Sequence, residues 1–139
     1  MQIHHIGIWT NDLERLRDFY INAFDCKVSG RYDNPAKQFS SYFLTFAAGT
    51  SIEIMKRNDV TESTDITMIG LAHFALDLGT MLAVDQLTKK LEHAGTVVVS
   101  QPRITGDGYY ESVICDPDKN KIELIAITDK HHSNFSGKR

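Results

Sequence analysis

A chain of 139 residues, 42% hydrophobic and 24% charged, is one domain's worth of globular protein and too short for two independent domains of ordinary size. A formal net charge of -3 and a pI near 6.0, with no basic cluster, exclude nucleic acid as an expected partner. No run approaches the ~20 apolar residues of a membrane helix, and the first residues lack the basic start and apolar stretch of a signal peptide, so the expected location is cytoplasmic.

Residues 2–9, QIHHIGIW, read as a strand that carries the histidine pair His4 and His5. Thr10, Asn11 and Asp12 then offer helix caps, and Leu13, Leu16, Phe19, Tyr20 and Phe24 recur at the spacing of an amphipathic helix. Lys27 to Arg31 and a polar loop holding Pro35 lead to SSYFLTFAAG and TSIEIMKR, strands parted by a turn at Ala48, Gly49 and Thr50. This half reads β, α, β, β, β. Residues 58–69 are polar and read as a linker, after which the pattern restarts. GLAHFALDLG is a strand, Thr80 sits at a cap position, and Met81, Val84, Leu87, Leu91 and Ala94 form a helical stripe closed by Gly95. TVVVSQP, YYESVICD and NKIELIAI are strand-like, the last two joined by a turn from Asp116 to Asn120. The second half is again β, α, β, β, β. Residues 128–139 form a polar tail, expected to be mobile. The chain therefore reads as modules 1–57 and 70–127 repeated within one domain, 1–127. Cys26 and Cys115 are isolated, without CxxC spacing, and suit reduced thiols used in packing.

In each module the first strand carries a histidine, His5 or His73, and the last a glutamate, Glu53 or Glu123, all four among apolar neighbours. The separations are 48 and 50 residues. Either glutamate alone reads as a charge on a solvated strand face, because alternation sends its apolar flanks to the other side. Taken together at repeat-related positions, the four read as a shared site. His4 falls on the face opposite His5, has no counterpart in the second module, and reads as a packing or surface residue; His131 and His132 lie in the tail and read as exposed.

Two imidazoles and two carboxylates suit a divalent ion such as Zn, Ni, Co, Mn or Fe. Such an ion with two adjacent open positions can bind neighbouring oxygens of one small-molecule substrate and stabilise the charge left when a proton leaves the adjacent carbon. A carboxylate at its edge, Glu123 or Glu53, is the candidate base. RITGDGYYES, residues 103–112, reads as a flexible loop in which Gly106 and Gly108 permit movement over the site. Trp9, Arg103, Tyr109 and Tyr110 are candidate substrate contacts, and Arg57 faces either an anionic substrate or water.

The segments IHHIGIWTNDLERLRDFY (3–20), SIEIM (51–55), GLAHFALDL (70–78) and DPDKNKIELIA (116–126) resemble the vicinal oxygen chelate superfamily, the glyoxalase, bleomycin resistance and extradiol dioxygenase group. The resemblance implies an α+β fold of two βαβββ modules forming an open, cupped mixed sheet, with His5, Glu53, His73 and Glu123 holding a divalent metal ion. Possession of all four ligands is most similar to glyoxalase I, which implies a lactoylglutathione lyase-like proton transfer on a thiohemiacetal of a 2-oxoaldehyde. Metal-dependent dioxygenase or acyl-CoA epimerase chemistry, and non-catalytic binding of the bleomycin-resistance type, are the alternatives within the same group. Trp9 stands where bacterial glyoxalase I has an arginine, and Arg57 where it has an asparagine, so the glutathione contacts of that enzyme are not reproduced. A lone cup exposes its edges, and a homodimer is the expected assembly.

Overall fold

The N-terminal strand forms over His5–Trp9 (β1) in the computed structural model, which describes residues 1–62 and 69–128. Part of the expected linker (63–68) and the tail from residue 129, with His131 and His132, lie outside the described residues. The chain divides into two compact units, Met1–Thr64 and Asp65–Arg139.

In the first unit β1 leads to helix α1 (Leu13–Phe24), and the turn between them is built from side chains. The Thr10 hydroxyl accepts from the Asp12 N–H at 3.1 Å, and Asp12 caps the helix by accepting from the Arg15 N–H at 3.0 Å. Strands β2 (Lys27–Val28), β3 (Tyr32–Asn34), β4 (Phe39–Thr45) and β5 (Ser51–Arg57) follow. The sheet order is β1-β5-β4-β2, with β3 also pairing β4; β1 runs parallel to β5 and the remaining pairs are antiparallel. Strand β3 occupies the segment read as a polar loop. Asn34 caps a 3-10 turn at Pro35–Lys37, and that short connection folds Tyr32–Asn34 back on Phe39–Ser41.

The second unit repeats the plan with β6 (Phe74–Asp77), α2 (Met81–His93), β7 (Val98–Ile104), β8 (Tyr109–Cys115) and β9 (Lys121–Ile127) in sheet order β6-β9-β8-β7, β6 being parallel to β9. Gly95 ends α2 as read: its φ of +89° lets the Thr96 N–H reach the Leu91 carbonyl and its own N–H reach that of Glu92. The segment read as a flexible loop is mostly strand. Arg103 and Ile104 belong to β7, Tyr109 opens β8, and residues 105–108 make a tight hairpin in which the Thr105 N–H donates to the Tyr109 carbonyl at 2.8 Å. The β7 register shifts between Ser100 and Arg103, which accommodates Pro102 inside a paired strand. Each unit is thus a mixed α+β module, the first with one strand more than its sequence pattern suggests.

Each helix covers one face of its own sheet. Leu13, Leu16, Tyr20 and Ala23 of α1 are buried against β4 and β5, where Leu44, Ile52 and Ile54 are buried too. In the second unit Val84, Thr88 and Leu91 of α2 share a core with Ile114, Ile122, Leu124 and Ala126. Each fully buried Leu or Ile contributes about 1.5–3 kcal/mol, so these faces fix which side of every strand points inward. Both cysteines are free, and burial, with the Asp25 carboxylate second, pushes the Cys26 thiol up to about 11, in keeping with a packing role. Among the described residues no helix is long and apolar enough to cross a membrane.

The α2 core holds one polar link. The Thr88 hydroxyl donates to the Val84 carbonyl at 2.6 Å and lies 2.6 Å from the Ser112 hydroxyl, with both side chains fully buried. Thr88→Val therefore strands the Ser112 hydroxyl and should cost about 1–3 kcal/mol in urea denaturation. Adding Ser112→Ala should recover part of the loss, whereas simple additivity would show that the two hydroxyls do not interact.

Candidate metal and substrate site

The parallel pair at one side of each sheet brings a histidine and a glutamate together by the same register. In the first unit His5 pairs with Ser51 and Gly7 with Glu53, so the imidazole lies diagonally across from the carboxylate. His5 Nε2 is 3.8 Å from Glu53 Oε2. In the second unit Ala75 pairs with Glu123, and His73, two residues earlier and just outside β6, sets its Nε2 3.2 Å from Glu123 Oε2. The residue facing each glutamate is small, Gly7 or Ala75, which leaves the space above the strand to the imidazole. A Cβ on Gly7 would lie 2.9 Å from the terminal methyl of Met55. The glutamates keep about a fifth of their side-chain surface exposed, 19% for Glu53 and 20% for Glu123, so each pair is accessible from solvent. Among the described residues no group of three or more His, Cys, Asp and Glu side chains is gathered; each unit contributes a pair.

The surroundings of the pairs differ. His5 packs edge-on against Phe43, with ring centroids 5.3 Å apart, and its Nδ1 lies 2.9 Å from Nδ1 of His4. His4, read as a packing or surface residue, is exposed and sets its ring edge-on against that of His5. One nitrogen of His5 is thereby engaged while the other faces Glu53. Further along the same face Trp9 pairs with Met55, and the Arg57 guanidinium sits 5.0 Å from the centroid of the Trp9 ring while ion-paired to Asp59. Arg57, read as facing substrate or water, has found an aromatic ring and a carboxylate.

In the second unit the pair is accompanied by charge. Glu111 pairs with Ile125 across β8 and β9, which puts it on the Glu123 face, and Arg103 on β7 approaches it at 3.9 Å. Only 13% of the Glu111 side chain is exposed. Burial holds its carboxyl above the usual glutamate range, the negative charge of Glu123 adds to this, and Arg103 opposes it. Sequence reasoning passed over Glu111, although its alternation with Val113, which pairs with Glu123, was the available signal. Tyr109 pairs with Ile127 and shares this face, whereas Tyr110 does not. The Tyr110 hydroxyl donates to Asp85 Oδ1 on α2 at 2.6 Å, and that bond raises its pKa. The structure thus sets Trp9 and Arg57 on the His5 face and Arg103 and Tyr109 on the Glu123 face, and takes Tyr110 to the helix side.

With this geometry in place, the comparisons with known proteins define the class. A sequence profile of the Glyoxalase/Bleomycin resistance protein/Dioxygenase superfamily matches residues 2–124, and the chain belongs to that superfamily. It is 30% identical over 124 residues to a lactoylglutathione lyase of Arabidopsis thaliana, covering 87% of this chain and 42% of the plant protein. It is 25% identical over 129 residues to the lactoylglutathione lyase of Escherichia coli O157:H7, covering 93% of this chain and 95% of the bacterial one. The fold is similar to that of a glyoxylase/bleomycin resistance protein/dioxygenase domain from Frankia sp. EAN1pec, with a TM-score of 0.81 at 19% identity, covering 92% of this chain and 98% of that one. The chain therefore spans less than half of its plant relative and nearly all of its bacterial one.

The raised Glu111 carboxyl gives a testable pH dependence. Its side-chain carboxyl resonance should titrate above the ordinary glutamate range, and Glu123→Gln should bring it part of the way down, leaving the larger effect of burial. A carboxyl raised in the folded state contributes stability that is present below its unfolded pKa and lost as pH rises through the raised value. Glu111→Gln should therefore gain stability relative to the parent chain as pH rises through that window, and a pH-independent difference would refute the assignment.

Proposed function

We propose that this chain is a divalent-metal-dependent enzyme of the glyoxalase I type, which moves a proton at the carbon beside two adjacent substrate oxygens. The observation that carries the reading is the duplicated His–Glu pair: the same two residue types, in the same diagonal register of a parallel strand pair, once in each unit. The relatives named lactoylglutathione lyase support the same reaction class.

The donors fit a divalent ion. Each pair offers an imidazole nitrogen and a carboxylate oxygen on adjoining strands, and His5, Glu53, His73 and Glu123 together supply the nitrogen and oxygen atoms that Zn, Ni, Co, Mn or Fe accept. When bound, such an ion polarises the substrate's oxygens and offsets the negative charge that develops on them. The chain's own groups do the rest. Glu123 or Glu53 takes the proton from carbon and returns it, and the histidines beside them hold each carboxylate in place. Arg103 and Tyr109 contact the substrate from the Glu123 face. The substrate is a small molecule with neighbouring oxygens, for which a thiohemiacetal of a 2-oxoaldehyde is the first candidate. Trp9 and Arg57 leave the thiol partner unassigned. Both units act as one domain, 1–127, in a cytoplasmic homodimer.

Elemental analysis tests the reading on the full chain carrying His131→Ala and His132→Ala, so that the tail cannot contribute ligands. About one divalent ion per chain is expected. Glu53→Ala and His73→Ala should each lose it, and an ion-free protein after reconstitution with Ni, Zn, Mn and Fe would sink the enzyme reading.

The contact between His4 and His5 adds a second expectation. Removing a partner that orients a ligating histidine typically costs about 10–100-fold in metal affinity, so His4→Ala should weaken binding by roughly tenfold in a competitive chelator titration. Unchanged affinity would mean that His4 does not orient His5.

A further inference from the structure

The site face of the second unit holds a carboxylate that its own surroundings do not satisfy. Glu111 lies opposite Ile125 on β9, two residues along from Glu123, so the two acids occupy diagonal positions on one face, roughly 7–8 Å apart. Among the described residues its ionic partner is Arg103, directly across β7 and β8 at 3.9 Å, and no hydrogen bond reaches the carboxylate. Water screens the cation of this loose pair far more than the anion, since the Arg103 side chain is 58% exposed and that of Glu111 only 13%. A buried acid ordinarily collects donors. Asp116 of the same unit does so, accepting from the Asp118 and Asn120 N–H groups and from the Asn120 side-chain amide. Glu111 is also not sealed in, because no fully buried side-chain oxygen among the described residues lacks a partner.

The duplicated plan makes this residue stand out. Phe43 pairs with Glu53 in the first unit as Val113 pairs with Glu123 in the second, so the counterpart of Glu111 is Ser41, buried and uncharged. Glu111 therefore lies outside the donor set that the modules share, and its charge belongs to the second module alone. Two like charges on one half-buried face repel each other, and a loose, exposed arginine relieves this only in part. A cation held by His73 and Glu123 relieves it directly, through an attraction that limited solvent access leaves largely unscreened.

We infer that Glu111 is a positioning residue of the second unit's site, a carboxylate whose charge strengthens the hold of His73 and Glu123 on a divalent cation without ligating it, while Arg103 opposes it. The inference deepens the reading of the preceding subsection and rests on it for the cation. It makes the two His–Glu pairs electrostatically unequal.

The test measures zinc affinity by competitive chelator titration on the full chain carrying His131→Ala and His132→Ala, at about pH 8, well above the ordinary glutamate range. Glu111→Gln keeps the size of the side chain and removes its charge, and should weaken zinc binding by about tenfold. Glu111→Asp, which keeps the charge, should stay within about threefold of the parent. Arg103→Gln should tighten binding by about two- to fivefold, a gain that a merely structural ion pair would not give and that should fade in ~0.5 M salt. As a control, Glu92→Gln removes one negative charge from α2, where Glu92 accepts from Gln101, and should change affinity by less than about twofold. Parent-like affinity in Glu111→Gln, an equal loss in Glu92→Gln, or weaker binding in Arg103→Gln would overturn the inference. A loss beyond about 100-fold in Glu111→Gln would overturn it too, by making Glu111 a ligand. Circular dichroism checks the fold of each variant, and if Glu111→Gln is unfolded the sign of the Arg103→Gln effect decides the question. Failure here is distinct from failure of the metal reading: a parent chain that binds zinc no more tightly than Glu111→Gln keeps the metal site and loses this role for Glu111, whereas a parent chain that binds no zinc loses both.

Discussion

The parallel pairing of the first strand of each unit with its last is the constraint on which both candidate site pairs depend. Nearly fifty residues separate the partners, yet their register is held by the core. If β5 slipped one residue against β1, Glu53 would turn toward α1 and Ile52 and Ile54 would turn toward water. Exposing two such side chains costs about 3–6 kcal/mol, and desolvating a carboxylate adds to it. The apolar residues of the helix face thus set the position of polar residues they never touch. The same argument holds for Ile122 and Leu124 around Glu123.

On that common frame the two units have diverged in what surrounds the pair. Aromatic side chains line the first, with Phe43 against His5 and Phe39 against Trp9. Charge lines the second, where Glu111 and Arg103 accompany His73 and Glu123. The pair is the element the two modules share, and the side chains around it are what sets them apart.

The sequence made the helices, their caps and the His–Glu repeat legible because each rests on local rules: alternation, the 3.6-residue period and a capping side chain at Asp12 or Thr80. What it hid depends on contacts at a distance. Strand β3 is three polar residues that become a strand only because β4 is there to pair with. The 103–112 segment looked like a loop because of Gly106 and Gly108, but the glycines serve a four-residue hairpin between long strands. His4 is exposed and stands just before β1, and its contact with the His5 ring is one that strand periodicity does not show. Tyr110 and Tyr109 are adjacent and chemically alike, and only the side of the sheet on which each falls separates a partner of α2 from a residue of the site face.

The half-exposed state of the pairs also follows from their chemistry. A His–Glu pair sealed within one unit would have to stand alone against the cost of desolvating its charge, and a lone pair in a dry interior is a poor exchange for packed hydrocarbon. Left partly open, each pair keeps part of its surface in solvent and avoids most of that cost. The duplication is therefore one of self-sufficient modules: each unit holds its own helix and core, and the register that sets its His–Glu pair needs nothing from the other unit.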